Sequence, residues 1–160
     1  MVLLNQVSDW FLSKESMTHK KLQKLCYYAQ AWYCALYDDG PLFENEIQAW
    51  VHGPVIPDLY HRYSCYGWEP IPKVDFNEGI LNERVLNILD SVYSTYGPYD
   101  GDQLEASTHS ETPWQNARKG LEPWEPGTEV ITYKAMRDFY KALYEQGPVS
   151  YTHLRAHETR

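Results

Sequence analysis

Residues Thr18–Tyr37 read THKKLQKLCYYAQAWYCALY, and the spacing within this stretch decides the fold. Leu22, Leu25, Cys26, Ala29, Trp32, Tyr33 and Leu36 follow the i, i+3, i+4, i+7 recurrence of a helix face turned toward a core. The other side carries Tyr27, Ala31 and Cys34, and from Leu25 onward Gln30 is the one amide or charged side chain. A helix apolar nearly all round needs cover on more than one side. Thr18 suits an N-cap, Asp38-Asp39-Gly40-Pro41 is a stop, and no Gly or Pro interrupts the interior. The stretch is predicted to be the central helix of one domain.

A chain of 160 residues is the size of one ordinary domain with a sizeable core. Its 43% hydrophobic content argues against disorder. No apolar run has the length of a membrane span, and Met1-Val2-Leu3-Leu4 lacks the basic and long apolar regions of a signal peptide. Cys26 and Cys34 stand about 12 Å apart along one helix, beyond disulfide reach. These features lead to the expectation of a reducing cytoplasm. The net charge of −8 argues against a dedicated nucleic-acid binder, which normally presents a basic face. Fourteen Tyr and six Trp suit both a wet core and a protein interface.

Outward from the central stretch, helical periodicity recurs. Val2–Ser13 predicts a first amphipathic helix with Leu3, Leu4, Val7, Trp10 and Phe11 on one stripe, joined to the central one by a short connection. Glu46–Val51 partly alternates and predicts a short extended piece, followed by a turn at His52-Gly53-Pro54-Val55. Pro57 near N1 opens a helix to about Tyr66, and the Pro- and Gly-bearing segment Gly67–Gly79 is loop. Further helices are predicted over Asn82–Tyr96, over Asp100–His109 and, with Thr112 as N-cap before Pro113, over Trp114–Lys119. Thr132 caps a last helix to Gln146 with Ala135, Met136, Phe139, Tyr140 and Leu143 facing in. The fold class expected is all-α, a mainly helical single domain with at most a minor short β pair.

The end of the chain differs in kind. Residues 147–160 (GPVSYTHLRAHETR) lack apolar periodicity and resemble assembly or vector read-through, so a domain over 1–146 and a non-native or disordered tail are expected. His153 and His157 have the i, i+4 spacing of paired metal ligands but lack a carboxylate or third ligand nearby.

Three blocks carry a resemblance: KLQKLCYYAQAW (Lys21–Trp32), AWVHGPVIPDLY (Ala49–Tyr60) and THSETPWQNAR (Thr108–Arg118). In order and wording they resemble the Panacea-domain family, the SocA-like antitoxins that include phage-associated GepA-type proteins. The resemblance extends over roughly Val2–Tyr144. The HGPV turn and the TH-x-E-x-PW block are its specific parts, because helical periodicity produces neither. It implies a mainly helical antitoxin of a toxin–antitoxin pair, often borne by phage or mobile elements. Its partner would be a cognate toxin protein and, in one branch, also a Clp-type protease to which the toxin is delivered. The family-motif residues are His52, Gly53, Pro54, Thr108, His109, Glu111, Pro113 and Trp114.

Each chemical constellation has a plainer architectural reading beside it. His52 is presented on a turn as an exposed imidazole or caps a carbonyl, with Gly53 and Pro54 shaping the backbone. His109 and Glu111 suggest an acid–base pair, the basis for an alternative reading as a hydrolase-like enzyme. Yet no nucleophile elbow, phosphate loop or metal signature accompanies them, and Glu111 or His109 would equally serve unpaired backbone groups at a helix start. His61 and Cys65 with Cys26 or Cys34 would make an irregular zinc set, without any CxxC; no metal and no cofactor are expected. Lys20, Lys21 and Lys24 beside His19 place cations at a helix N-terminus, against the macrodipole. That breach points either to an acidic partner or to pairing with the chain's own acidic loops. Tyr27, Tyr28, Tyr66, Trp68, Trp124 and Tyr133 exceed what one small core holds, so some should form a docking patch. Lys20, Lys21, Lys24, Tyr27, Tyr28 and Trp68 are therefore the candidate partner-binding residues, with a membrane and nucleic acid not expected as partners. A third reading is an adaptor or scaffold that has no toxin.

Overall fold

In the computed structural model, which describes residues 1–146, the stretch Thr18–Tyr37 forms helix α2 (His19–Leu36). Thr18 is its N-cap, accepting a hydrogen bond from the Lys21 amide at 3.2 Å. Every residue from Lys21 through Cys34 is buried. The cover comes from α1 (Leu4–Lys14), α3 (Pro57–Tyr63), α4 (Glu83–Tyr96), α5 (Gly101–His109) and α7 (Tyr133–Gln146), all packed on α2. The short α6 (Thr112–Ala117) bridges α5 and α7. The fold is mainly α-helical, with one small two-stranded sheet among the described residues.

The polar side chains of α2 fasten the surrounding chain to it. Gln30 donates to the Phe43 carbonyl at 2.7 Å and accepts from the Leu42 amide at 2.7 Å, so an extended return segment is held without a strand partner. Gln23 does the same for Ile56, donating to its carbonyl at 3.1 Å and accepting from its amide at 2.8 Å. A buried amide that meets both its own needs and those of a loop backbone carries little desolvation penalty. Trp32 donates its indole N–H to the Tyr96 hydroxyl at 2.9 Å, and Tyr28 stacks on the Tyr96 ring at 3.8 Å.

The extended piece becomes strand β1 (Gln48–Trp50), paired antiparallel with β2 (Gly53–Val55) in the register Gln48 to Val55, Ala49 to Pro54 and Trp50 to Gly53. The turn is thus confined to Val51 and His52, where the sequence predicted it to run through Val55. Gly53 makes this hairpin by adopting φ +110°, a conformation that L side chains rarely take. On the other edge of β1, the Ala49 amide donates to the Glu129 carbonyl at 2.9 Å and the Ile131 amide to the Ile47 carbonyl at 2.8 Å.

Helix limits follow the caps. Asn82 and Asp100 cap α4 and α5, and Asp100 with Gln103 completes a capping box. Thr132 accepts from the Ala135 amide at 3.1 Å at the start of α7, whose Met136 and Tyr140 are fully inside. α3 ends at Tyr63 and continues as a 3-10 turn over Ser64–Tyr66. The N-cap of α6 is Glu111 rather than Thr112, and its carboxylate does not cap because it is engaged elsewhere. The tail and its His153–His157 pair lie outside the described residues. Among those described, no helix is long and apolar enough to cross a membrane.

Candidate partner-binding site

The N-terminal turn of α2, the hairpin turn, α3, Trp68 and the segment 126–128 enclose a pocket of ≈ 660 Å³. Its walls are apolar and aromatic: Trp50, Val51, Val55, Tyr60, Trp68 and Pro126. Trp50 meets Tyr60 edge-on at 5.0 Å, and His19 meets Tyr60 from the other side at 5.9 Å. Trp68 is 84% exposed, the most open of the tryptophans. On the buried side the pocket reaches Lys24, which is only 1% exposed.

Lys24 donates to the Pro54 carbonyl at 3.3 Å. Burial drives its ammonium down to about 7, with the negative charge of Glu105 opposing the shift and Lys20 adding to it. Gly53 makes room for this side chain. A Cβ at position 53 would lie 2.8 Å from Lys24 Cε and 3.0 Å from Thr108 Oγ1. Thr108 is itself buried and donates to the Glu105 carbonyl at 2.8 Å. The two motif blocks therefore meet beside Lys24, where Gly53 approaches both the lysine and Thr108.

Around this point the other lysines find partners within the chain. Lys20 pairs with Asp102 and Glu105, each at 2.6 Å. Lys21 pairs with Glu15 at 3.0 Å and donates to the Gly97 carbonyl at 2.7 Å. The cations at the start of α2 are thus compensated by acidic residues of α5 and of the α1–α2 connection, and the breach of the macrodipole rule needs no external partner. His52 caps no carbonyl in the described contacts; its Nδ1 faces Glu105 at 3.3 Å. Burial works to raise the Glu105 carboxyl, yet Lys20 and His52 outweigh it and hold the group below its ordinary value.

The proposed exposure of Tyr27 and Tyr28 is corrected: they are 1% and 0% exposed. They belong to a closed polar cluster. Tyr28 and Tyr140 both donate to Glu111 Oε1, at 2.9 and 2.8 Å. Ser107 lies 2.7 Å from the Tyr28 hydroxyl, and Tyr27 lies 3.0 Å from that of Tyr140. Burial raises the Glu111 carboxyl to about 7, against the lowering effect of the two hydroxyls. His109 takes no part. Its ring stacks on Trp114 at 3.9 Å and 13°, and its Nε2 lies 4.0 Å from Glu105. The acid–base pair suggested by the sequence is thus divided between two environments. Trp114, on α6 behind Pro113, donates to the Trp50 carbonyl at 2.8 Å and ties this block to the hairpin.

Of the sequence candidates, the fold brings Lys20, Lys24, His52 and Trp68 to the pocket, while Lys21, Tyr27 and Tyr28 are buried and do not line it. Sequence reasoning did not assign Trp50, Tyr60, Glu105 or residues 126–128 to a site. The available signal was Gly53: a glycine required beside a hairpin implies a side chain passing beneath it. Tyr140 was identified as an inward residue, but not as a hydroxyl donor to Glu111. Cys26 and Cys34 are buried on α2 and Cys65 is exposed. Among the described residues no group of three or more His, Cys, Asp or Glu could hold a metal ion.

The family model described as antitoxin SocA-like, Panacea domain, matches residues 22–115, well over half of the chain. No curated protein and no solved structure matches it. The match runs from α2 through the hairpin to α6, so it contains Lys24, Gly53, Thr108 and Glu111. The pocket residues Thr18–Lys20 and 126–128 lie outside it. The chain belongs to the SocA-like antitoxin family of Panacea domains, and with that membership goes an antitoxin-type role.

Proposed function

We propose that the chain neutralises a cognate toxin by direct, stoichiometric binding, using the pocket and the adjoining Trp68 as its docking face. The observation that carries this reading is a concave aromatic surface edged by a tryptophan 84% exposed. Tryptophan and tyrosine dominate the energetics of protein interfaces, and a rim of charges steers and selects the partner. Lys20 and Glu105 supply such charges here. The unit that acts is residues 1–146, since α1 and α7 pack directly on α2 although they lie outside the matched segment. A non-catalytic role suits the placement of Glu111 among tyrosine hydroxyls and of His109 flat against Trp114.

The test is a co-expression rescue. The gene adjacent in the source genome is induced alone, then with residues 1–146 of this protein, then with its Trp68→Ala variant. Arrest relieved by the first protein and less well by the second is expected. Toxin abundance separates two modes: binding alone leaves it unchanged, whereas delivery to a Clp-type protease lowers it and makes relief depend on that protease. A neighbour whose toxicity is untouched overturns the reading for that pair.

A further inference from the structure

The pocket combines apolar walls with a buried amine short of partners. An ammonium has three donors, and Lys24 is given one carbonyl at 3.3 Å. The groups facing it from each packed element do not fill the gap. Glu105 on α5 is shared with Lys20 at 2.6 Å and His52 at 3.3 Å, Lys20 on α2 is a like charge, and the hairpin offers the Pro54 carbonyl. A second polar atom is left over at the same place. His19 Nδ1 is buried and has no hydrogen-bond partner among the described residues, and His19 also lines the pocket. Burial and the nearby Lys24 charge lower the His19 imidazole, which favours its neutral form. Glu105 is the one carboxylate that acts on Lys24 and it is already committed to Lys20 and His52, so an ammonium buried with a single carbonyl contact either gives up its proton or draws in an anion.

The walls indicate what kind of anion fits. Phosphate sites offer several convergent N–H donors or an arginine fork. Here Lys20 is already paired with Asp102 and Glu105, and Lys24 is left as a point cation on the buried side of a pocket lined by Trp50, Tyr60 and Trp68. The volume of ≈ 660 Å³ falls within the roughly 300–1,000 Å³ of ligand sites. A single residue that presents both an apolar side chain and a carboxylate is the last residue of a polypeptide.

We propose that the pocket receives the C-terminal residue of the toxin, its free carboxylate against the Lys24 ammonium and its apolar side chain against Trp50, Tyr60 and Trp68. This rests on the antitoxin reading above. The site chemistry is tested first without the toxin, by calorimetric titration of the full chain with N-acetyl-L-tryptophan and with its uncharged twin N-acetyl-L-tryptophanamide. The acid binds at least tenfold more tightly than the amide to the wild-type protein, and Lys24→Met removes that difference. Equal binding of acid and amide to the wild type overturns the proposal without reliance on any variant, as does inorganic phosphate displacing the acid at equal concentration.

The second arm uses the toxin identified by rescue. Removal of its last two residues weakens binding at least tenfold while leaving its fold, read by circular dichroism, unchanged. If rescue succeeds and the shortened toxin binds as before, the C-terminal assignment is wrong and the antitoxin reading stands. If rescue fails while the acid still outbinds the amide through Lys24, the carboxylate pocket stands and the toxin as its source falls.

Discussion

Lys24 and Glu111 are both buried ionisable groups served by α2, yet the fold treats them in opposite ways. Burial moves both toward about 7, Lys24 down from 10.5 and Glu111 up from 4.5. Glu111 is closed in by two tyrosine hydroxyls that donate to one of its oxygens, one of them from Tyr28, a single turn beyond Lys24 on the same helix. Lys24 has one long contact to a carbonyl and borders an open pocket. A displaced proton affinity therefore does not by itself distinguish a site from a strut. What distinguishes them is whether the chain supplies the partner.

The largest effect is expected from removing the satisfied charge. Glu111→Ala leaves the Tyr28 and Tyr140 hydroxyls without their acceptor and opens a void between α2, α6 and α7. A loss of about 4 kcal/mol in urea unfolding is expected. Glu111→Gln retains an oxygen for both donors and should remain within about 1 kcal/mol of wild type at pH 7. It should also change the pH profile. Because the folded carboxyl is raised, the folded chain holds a proton that the unfolded chain releases, so wild-type stability falls as pH climbs from about 4.5 through about 7. The Gln variant should lack that decline.

Next comes the glycine that allows the unsatisfied charge its place. Gly53→Ala puts a Cβ at φ +110° and within 2.8 Å of Lys24 Cε, which combines backbone strain with a side-chain collision. About 2 kcal/mol of destabilisation is expected. The effect should shrink in a Lys24→Ala background, where the collision with Lys24 is gone and the backbone strain and the 3.0 Å approach to Thr108 Oγ1 remain. Additive losses in the double mutant would show that Gly53 serves the hairpin and not the lysine.

The helices were legible because periodicity and caps both act over a few residues. Leu22, Leu25, Ala29 and Trp32 announced the buried face of α2, and Thr18, Asn82, Asp100 and Thr132 announced starts. The site was less legible, for two physical reasons. Lys20, Lys21 and Lys24 share a sequence signature but meet different neighbours: Lys21 pairs six residues back with Glu15, whereas Lys20 pairs some 80 residues away with Asp102, a contact that sequence spacing does not reveal. Tyr27 and Tyr28 belonged to a set of rings too large for one small core, and a buried tyrosine also needs a partner for its hydroxyl. Glu111, Ser107 and Tyr140 meet that need from other helices. Trp68 stands exposed as anticipated, since no periodic apolar pattern claims its loop.

Lys24→Met tests the other half of the comparison through a stability curve. The folded ammonium is depressed, so between about 7 and 10.5 the unfolded chain holds a proton that the folded chain has released. Wild-type stability therefore gains with rising pH in that window, and the variant lacks the gain. The stability of wild type minus that of the Met variant should rise by about 1.5 kcal/mol between pH 7 and 8.5. The raised tyrosines and thiols, which lower stability in more alkaline solution, are common to both proteins and cancel. A flat difference would mean that Lys24 is solvated and that the pocket holds no stranded charge.

The smallest effect on the fold should accompany the clearest effect on binding. Trp68 leaves most of its surface in water, so Trp68→Ala removes little packing and should alter unfolding free energy by less than about 0.5 kcal/mol. An anchor at the mouth of a docking pocket behaves differently, and its truncation should weaken toxin binding by about 2 kcal/mol, some thirtyfold. Glu111→Gln gives the matched control: a change deep in the core that leaves the pocket walls in place and should leave toxin affinity unaltered. Trp68→Ala with full affinity would remove the pocket mouth from the docking face, and a loss in Glu111→Gln would show that toxin affinity depends on the core packing of α2, α6 and α7.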